Sequence, residues 1–232
     1  MALEAVPLTV IPRVLVVDVG GTHVKVLVSA QTAKRKFVSG PMLTAAVMVE
    51  RVKALTADWV YDAVSLGYPG PVRHGLPSRE PMNLGPGWVG FDYEAAFGRP
   101  VKIVNDAAMQ ALGSYRGGRM LFLGLGTGLG SAMIVDGSVA PMELAHLPYK
   151  KGRTYEDFAG LRGLKRLGKK KWRRVVAQMV ADLTAALQPD DVVLGGGNVK
   201  LLGDLPAGAR PGQNANAFLG GFRLWQPPSD RA

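Results

Sequence analysis

The stretch that decides the fold is VLVVDVGGTHVKVLVS, residues 14–29. Apolar residues run from Val14 to Val19 and resume at Val24, and Gly20-Gly21 separates the two runs. Short apolar runs bounded by glycine are typical of buried strands, so the pattern predicts a strand, a tight turn and a second strand. The chain therefore opens with a glycine-turned β-hairpin.

A second stretch, MLFLGLGTGLGSAMIV at residues 120–135, repeats this design. Glycine turns leave backbone N–H groups free to face an anion, because no side chain blocks its approach. A single turn of this kind is more typical of an ordinary hairpin, but two of them indicate a phosphate clamp. No Gly-Lys-Ser/Thr follows and neither turn opens a helix, which argues against a mononucleotide P-loop and a dinucleotide site.

The first turn also carries polar residues suited to a metal-bound phosphate. Asp18 precedes the glycines and is predicted to hold Mg²⁺, directly or through water, with Thr22 and Lys25 near the same end. Magnesium is commonly bound by one or two carboxylates together with phosphate oxygens and water.

The rest of the chain alternates strand and helix patterns. These patterns predict a helix over 45–55, a strand over 63–68, an irregular excursion over 73–100, a strand over 101–106 with a helix over 107–115, an amphipathic helix over 169–187 and a last strand from 192. Trp172 falls on the apolar stripe of the long helix, which makes it a core residue rather than a stacking platform. The order indicates an α/β protein.

Composition excludes several classes of site. The 232 residues are 47% hydrophobic, enough for a substantial core, and include no cysteine, so disulfides, thiolate metal sites and a cysteine nucleophile are excluded. The first residues lack the pattern of a secretory signal, and no apolar run approaches the roughly 20 residues of a membrane span. A cytoplasmic protein with no membrane partner is the expectation.

Five motifs occur in a fixed order: DVGGT at 18–22, ND at 105–106, LGTGLG at 125–130, ELAH at 143–146 and LGGG at 194–197. In this order they resemble the ROK family of sugar kinases and repressors, over about Val14 to Phe222. Within that family the chain looks most like the polyphosphate glucokinase branch, since it is short, lacks a cysteine cluster and carries NANAFLGG at 214–221.

The resemblance implies a two-lobed actin-like ATPase fold, of ribonuclease-H-like type, with a central cleft between the lobes. Residues 1–104 would form the first α/β lobe, completed by 215–232, and residues 105–214 the second. A homodimer is the expected assembly.

The resemblance also implies the site. Asp106 would be the catalytic base, which agrees with the need for a carboxylate to take the proton of an attacking hydroxyl. The sugar would contact Asn83, Asn105, Glu143 and His146. The phosphoryl donor would lie against residues of both hairpins and of the last glycine turn, namely Gly20, Gly21, Thr22, Lys25, Gly126, Thr127, Gly128, Gly195, Gly196 and Gly197. The implied reaction is phosphorylation of a hexose, glucose to glucose 6-phosphate, by polyphosphate, ATP or both, with Mg²⁺.

The chain departs from the family pattern in two places. The cysteine-rich zinc loop that follows the Glu-x-x-His element in many members is missing, so no zinc is expected and His146 is left as a sugar contact. Ala145 stands where glycine usually precedes that histidine. Only about a dozen residues precede Val14, too few for the repressors' DNA-binding domain, so nucleic acid is not an expected partner.

The net charge of +10 is concentrated in one segment. Residues 150–174 hold eleven basic and two acidic residues. Such a run is commonly a solvated face, and the alternative is a track for a long polyanion such as polyphosphate. Two other functions stay open: a sugar-sensing protein without catalysis, and a polyanion or nucleic-acid binder of the same fold.

Overall fold

The first hairpin and the second each begin a five-stranded mixed sheet. The structure is a computed structural model that describes residues 12–213 and 215–232. Residues 1–11, which lack a secretory pattern in sequence, and Asn214 of the NANAFLGG motif lie outside the described residues.

Secondary structure within these residues alternates as the sequence indicates. The strands are β1 Val14–Val19, β2 His23–Val28, β3 Arg35–Val38, β4 Ala63–Tyr68, β5 Val72–Arg73, β6 Leu76–Pro77, β7 Val101–Asn105, β8 Arg119–Leu125, β9 Leu129–Val135, β10 Ser138–Met142, β11 Asp191–Gly195 and β12 Ala209–Pro211. The helices are α1 Ala45–Leu55, α2 Tyr93–Phe97, α3 Asp106–Ser114, α4 Tyr155–Ala159, α5 Leu161–Leu187 and α6 Asn216–Arg223, with 3-10 helices at Leu144–His146, Val199–Leu201 and Pro228–Asp230.

The two sheets have the same topology. The first has the order β3-β2-β1-β4-β7 and the second the order β10-β9-β8-β11-β12. In each sheet the three strands around the hairpin are antiparallel and the next two are parallel to the first strand. The sheets are the cores of the two lobes, and a helix follows the last parallel strand of each, α3 after β7 and α6 after β12.

These two helices cross closely and connect the lobes. A Cβ on Gly113 of α3 would overlap with the backbone of Asn216 in α6, and one on Gly220 would overlap with the carbonyl of Met109. The alanines and Leu112 of α3 pack on strands of the second sheet, while Ala217 and Phe218 of α6 pack against β1 of the first. Each helix thus packs on the sheet other than the one whose last strand precedes it.

The long helix α5 is bent at a glycine. Gly168 has φ of 72° and a non-helical ψ of 160°, a conformation that glycine adopts without strain. The segment after it matches the amphipathic helix predicted from residue 169, and Trp172 is fully buried in the core. The extension back to Leu161 was not predicted.

The excursion over 73–100 is less irregular than predicted. It contains strand β6, paired with β5, and helix α2, whose first turn is capped by Asp92 through a 2.9 Å bond from Ala95 N–H. Strands β3, β10 and β12 and helix α4 were also not predicted. The division of the chain at residue 104 stays a prediction, with β7 ending at Asn105 and α3 beginning at Asp106.

Among the described residues, no helix combines the length and the apolar character needed to cross a membrane.

Substituting Gly113 by alanine tests the helix crossing. We expect the free energy of unfolding to fall by about 2 kcal/mol, because the new Cβ meets backbone that can move only by separating α3 from α6. Urea denaturation measures the change, and Lys171→Ala on the exposed face of α5 is the control, with an expected change within about 0.5 kcal/mol. A Gly113→Ala protein as stable as the control would contradict the close crossing.

Candidate active site

The turn of the first hairpin places Asp18 beside Lys25. The two residues are directly opposite in the β1–β2 register, and Lys25 Nζ lies 2.9 Å from Asp18 Oδ2. The Asp18 side chain is only 14% exposed. Gly20 N–H donates to the carbonyl of His23 at 3.0 Å and closes the turn, while the hydroxyl of Ser39 donates to the carbonyl of Gly20 at 2.6 Å.

Asn83 lies next to this turn although it is more than sixty residues away in sequence. A Cβ on Gly21 would lie 3.7 Å from Cβ of Asn83 and 3.9 Å from its Nδ2. Asn83 itself is an exposed residue. The structure therefore brings one predicted sugar contact and one predicted phosphate-binding glycine together.

Asn105 ends β7 and caps helix α3. Its Oδ1 accepts hydrogen bonds from Ala107 N–H at 2.9 Å and from Ala108 N–H at 3.4 Å, and its Nδ2 donates to the carbonyl of Gly70 at 3.0 Å. Asparagine is among the preferred N-cap residues for this reason. The side chain thus fixes the start of α3, and one amide hydrogen is left for another acceptor.

Asp106 is the first residue of α3 and lies near Asp18. Burial and the negative charge of Asp18 raise the pKa of Asp106 to about 7, against the opposing effects of Ala107 N–H, which donates to Oδ1 at 2.8 Å, and of Lys25. A carboxyl group with this pKa can take up and release a proton near neutral pH.

The glycines of the second hairpin differ in what a side chain at each position would contact. A Cβ on Gly130 would lie 2.7 Å from Cβ of Ala107, so this glycine allows the hairpin to approach the start of α3. A Cβ on Gly128 would overlap with the carboxylate of Glu156. A Cβ on Gly126 would meet nothing within 4 Å and would face open space. Of these three glycines, Gly126 is the one with room for a ligand.

The glycine turn after β11 lies against the second hairpin. Gly195 pairs with Gly124 across the parallel strands, and Gly196 has φ of +87° with its Cβ position blocked by the backbone of Leu125. Asn198 donates from its side-chain amide to the carbonyl of Gly126 at 2.8 Å. Gly197, like Gly126, faces open space. Two of the predicted donor-binding motifs therefore meet at one edge of the second sheet.

Glu143 precedes the 3-10 helix after β10, and His146 is the last residue of that helix. Glu143 Oε2 lies 3.5 Å from His146 Nε2, and the side chains are 60% and 69% exposed, respectively. Both are thus accessible to a ligand. Ala145 between them is buried in the core of the second lobe.

The sequence patterns did not identify Glu156 and Asn198 as members of this region. Glu156 Oε2 accepts a hydrogen bond from Leu129 N–H at 3.2 Å, and Oε1 lies 3.3 Å from Arg162 Nη2. Thr154 and Asp157 form a capping box around it that marks the start of α4, a signal that the sequence contains. Nothing in the sequence pairs Glu156 with a turn 27 residues earlier.

The carboxylate of Asp18 fits a Mg²⁺ that would be bound mainly through phosphate oxygens and water. Asp18 is partly buried at the turn and already beside one cation, and the described residues contain no group of three or more His, Cys, Asp or Glu arranged for a metal. Magnesium sites that act on phosphates commonly take one or two protein carboxylates. Asp18 is the residue that would hold the ion.

Comparisons with known proteins define the class of fold. No protein-family model matches the chain. The inorganic polyphosphate/ATP-glucomannokinase of Arthrobacter sp. strain KM aligns with a TM-score of 0.78 and 24% identity over 92% of this chain and 98% of that one. A ROK family glucokinase of Streptomyces griseus, solved with glucose and AMPPNP, aligns with a TM-score of 0.73 and 18% identity over 91% and 98%. The chain therefore has the two-lobed actin-like ATPase fold of the ROK sugar kinases.

The similarity at the level of sequence is narrower. Polyphosphate glucokinase of Mycobacterium tuberculosis is 30% identical over 145 residues, which are 56% of this chain and 54% of that protein. The chain thus spans about half the length of the curated relatives it matches. This similarity confirms the resemblance to the polyphosphate glucokinase branch of the ROK family that the motifs predicted.

The raised pKa of Asp106 predicts a pH dependence of stability. Its pKa is about 7 in the folded protein and ordinarily 3.8, so the folded state binds the extra proton and stability falls as pH rises from about 4 to 7. Asp106→Asn removes this loss. We compare the free energy of unfolding of the variant with that of wild type at about pH 4.5 and at about pH 8. The difference should be at least about 1 kcal/mol more favourable to the variant at the higher pH, since one pKa unit is worth about 1.4 kcal/mol.

Urea denaturation at the two pH values measures this difference. Asp62→Asn is the control, because hydrogen bonds from Arg13 lower the pKa of Asp62 below its usual 3.8 and its stabilising effect is lost only below about pH 4, so the difference from wild type should be nearly the same at both pH values. A difference between Asp106→Asn and wild type that does not change with pH would contradict the raised pKa.

Proposed function

We propose that the protein is a sugar kinase that transfers a phosphoryl group from polyphosphate, ATP or both to a hexose hydroxyl, with glucose giving glucose 6-phosphate. The observation that carries the proposal is the position of Asp106. It starts a helix whose next residue touches the second glycine hairpin, and its pKa responds to the aspartate of the first hairpin. A carboxylate between two phosphate-binding turns is the arrangement that phosphoryl transfer to a hydroxyl requires.

In the proposed reaction, Asp106 accepts the proton of the sugar hydroxyl as its oxygen attacks the terminal phosphorus. The new O–P bond forms while the bond from that phosphorus to the rest of the donor breaks, and the shortened donor keeps the electron pair. Asn83, Asn105, Glu143 and His146 would orient the sugar. Mg²⁺ held at Asp18 would supply positive charge to the phosphate oxygens.

Lys25 and the open turns at Gly126 and Gly197 would receive the donor. Lys25 is 36% exposed, so its ammonium group can contact a phosphate while it pairs with Asp18. The backbone N–H groups of the glycine turns offer further donors to phosphate oxygens. Closure of the lobes on the sugar would exclude water, which otherwise competes as acceptor. The homodimer and the cytoplasmic location stay predictions.

The basic segment supports polyphosphate as a donor. Helix α5 begins against the second hairpin, where Leu161 N–H donates to the carbonyl of Thr127 at 3.1 Å. The basic residues that follow are all exposed, namely Arg162, Lys165, Arg166, Lys169, Lys170, Lys171, Arg173 and Arg174. In the described part of the chain, Lys165, Lys169 and Lys170 have no carboxylate within ion-pair distance. A chain of phosphates leaving the hairpin would meet these uncompensated charges.

Asp106→Ala tests the proposed base. We expect turnover to fall at least about a hundredfold, the usual contribution of a general base, with sugar binding largely retained. A coupled assay of glucose 6-phosphate measures turnover, and a thermal-shift titration with glucose measures binding. Asp204→Ala, at an exposed acid of the second lobe, is the control, and near-normal turnover of Asp106→Ala would remove Asp106 from the mechanism.

Neutralising Lys165, Lys169 and Lys170 together to Gln tests the donor. We expect KM for polyphosphate to rise at least about tenfold and its salt dependence to weaken, because electrostatic attraction of a polyanion scales with the number of contacting cations. KM for ATP should rise less than KM for polyphosphate, since ATP has only three phosphates and cannot contact cations along several turns of α5 at once.

The matched control is the triple exchange of Lys34, Lys36 and Lys53 to Gln in the first lobe. Equal effects of both triple variants would show that only the overall charge matters. Strict dependence on ATP, with no inhibition by polyphosphate, would contradict polyphosphate as donor. Polyphosphate binding without sugar phosphorylation would instead favour the polyanion-binding alternative.

A further inference from the structure

Residues 80–88 form a loop that is held closed at its base, and we name it the Asn83 loop. The carboxylate of Glu80 at its start accepts hydrogen bonds from the backbone at its end. Trp88 N–H lies 3.1 Å from Oε2 and 3.3 Å from Oε1, and Val89 N–H lies 3.2 Å from Oε1. A carboxylate that accepts two backbone N–H groups makes charge-assisted bonds, which are stronger than neutral ones.

The loop is also fixed along one side. The indole Nε1–H of the fully buried Trp88 donates to the carbonyl of Gly85 at 2.8 Å and to that of Leu43 at 3.3 Å. Gly85 N–H donates to the carbonyl of Leu43 at 3.0 Å. These bonds connect the far half of the loop to the segment that precedes α1. In the near half, Pro81 is buried and Leu84 packs against the core of the first sheet.

The near half carries Met82 and Asn83. Met82 is 97% exposed, so it contributes almost no packing that could hold its neighbour. Asn83 nevertheless lies against Gly21 of the first hairpin. Its position therefore depends on the packing of Pro81 and Leu84 and on the two ends of the loop, which the carboxylate of Glu80 joins.

Glu80 also lies near β4, the strand whose last residue is beside the start of α3. Its negative charge raises the pKa of Tyr68 and of Tyr93, in addition to the larger effect of burial. Tyr68 donates from its hydroxyl to the carbonyl of Arg79, next to Glu80, at 2.6 Å. Tyr68 pairs with Asn105 in the β4–β7 register, so the base of the loop is tied to the strand ends that lead to Asp106.

We propose that Glu80 is a positioning residue for the sugar: its carboxylate closes the Asn83 loop and thereby holds Asn83 at the acceptor side of the first hairpin. This inference rests on the proposed sugar kinase function. Glu80 does not touch the substrate. It acts through Asn83, and its removal should weaken sugar binding while the donor site and the base stay as they are.

The test compares Glu80→Ala, Glu80→Gln, Asn83→Ala and the double variant Glu80→Ala/Asn83→Ala. We expect Glu80→Ala to raise KM for glucose about tenfold, with kcat and the donor KM changed less than about twofold, the pattern of lost ground-state positioning. Glu80→Gln keeps one acceptor oxygen and should restore most of the affinity. Because Glu80 acts through Asn83, the double variant should be no worse than Asn83→Ala alone.

Asp92→Ala is the matched control, since Asp92 also accepts a backbone N–H in the same part of the chain but caps α2 instead of closing the loop. Hydrogen exchange of the Trp88 and Val89 amides should accelerate in Glu80→Ala and not in Asp92→Ala. An unchanged glucose KM in Glu80→Ala, additive losses in the double variant, or losses of kcat and both KM values equal to those of Asp92→Ala would overturn the proposal. A wild-type protein that phosphorylates no hexose would overturn the proposed function as well, so the two failures are distinguishable.

Discussion

The close crossing of α3 and α6 is the constraint on which the rest of the structure depends. Glycines at the contact let the two backbones approach without intervening side chains, while α3 packs on the second sheet and α6 on the first. The contact between the two helices thus joins the lobes, in addition to the chain connections. Because α3 begins with Asp106, the same contact that joins the lobes also fixes where the carboxylate lies.

The duplicated sheet topology explains why two glycine turns lie near one carboxylate. Each turn joins the first two strands of its sheet, at the end where the parallel strands finish. In the first sheet, Asp18 pairs with Gly67, which in turn pairs with Val104, so the strand ends are level. The first residue of α3 therefore emerges beside Asp18, and Gly130 lets the second turn reach the same place. Glycine here serves packing between elements as much as access for a ligand.

The central elements of this fold could be predicted from the sequence because their patterns are local, whereas the contacts that build the site are not. The bounds of α1 and β4 agree with the prediction, and the two hairpins form as expected. Strands β3, β10 and β12 were missed because they are edge strands or short, with polar side chains and, in β10, a proline that edge strands tolerate. The motifs led to the prediction that Asp106 is the catalytic base. They do not show that Asn105 caps α3 or that Glu80 joins the ends of the Asn83 loop. The Asn105 cap is local, because its donors lie two and three residues along the chain, whereas the contacts of Glu80 with Trp88 and Val89 span eight and nine residues.

The charges around Asp106 show why such contacts matter for chemistry. Asp18 and burial favour the protonated carboxyl, whereas Lys25 and Ala107 N–H favour the carboxylate, and the balance gives a pKa of about 7. Lys25 faces Asp18 at 2.9 Å and so reduces the negative charge that Asp106 experiences. A base must be ionised to accept a proton and yet basic enough to hold it, and a pKa near the working pH meets both needs. Burial has the largest effect on the proton affinity of the carboxyl group at the start of α3, and the Asp18–Lys25 pair of the first hairpin adjusts it further.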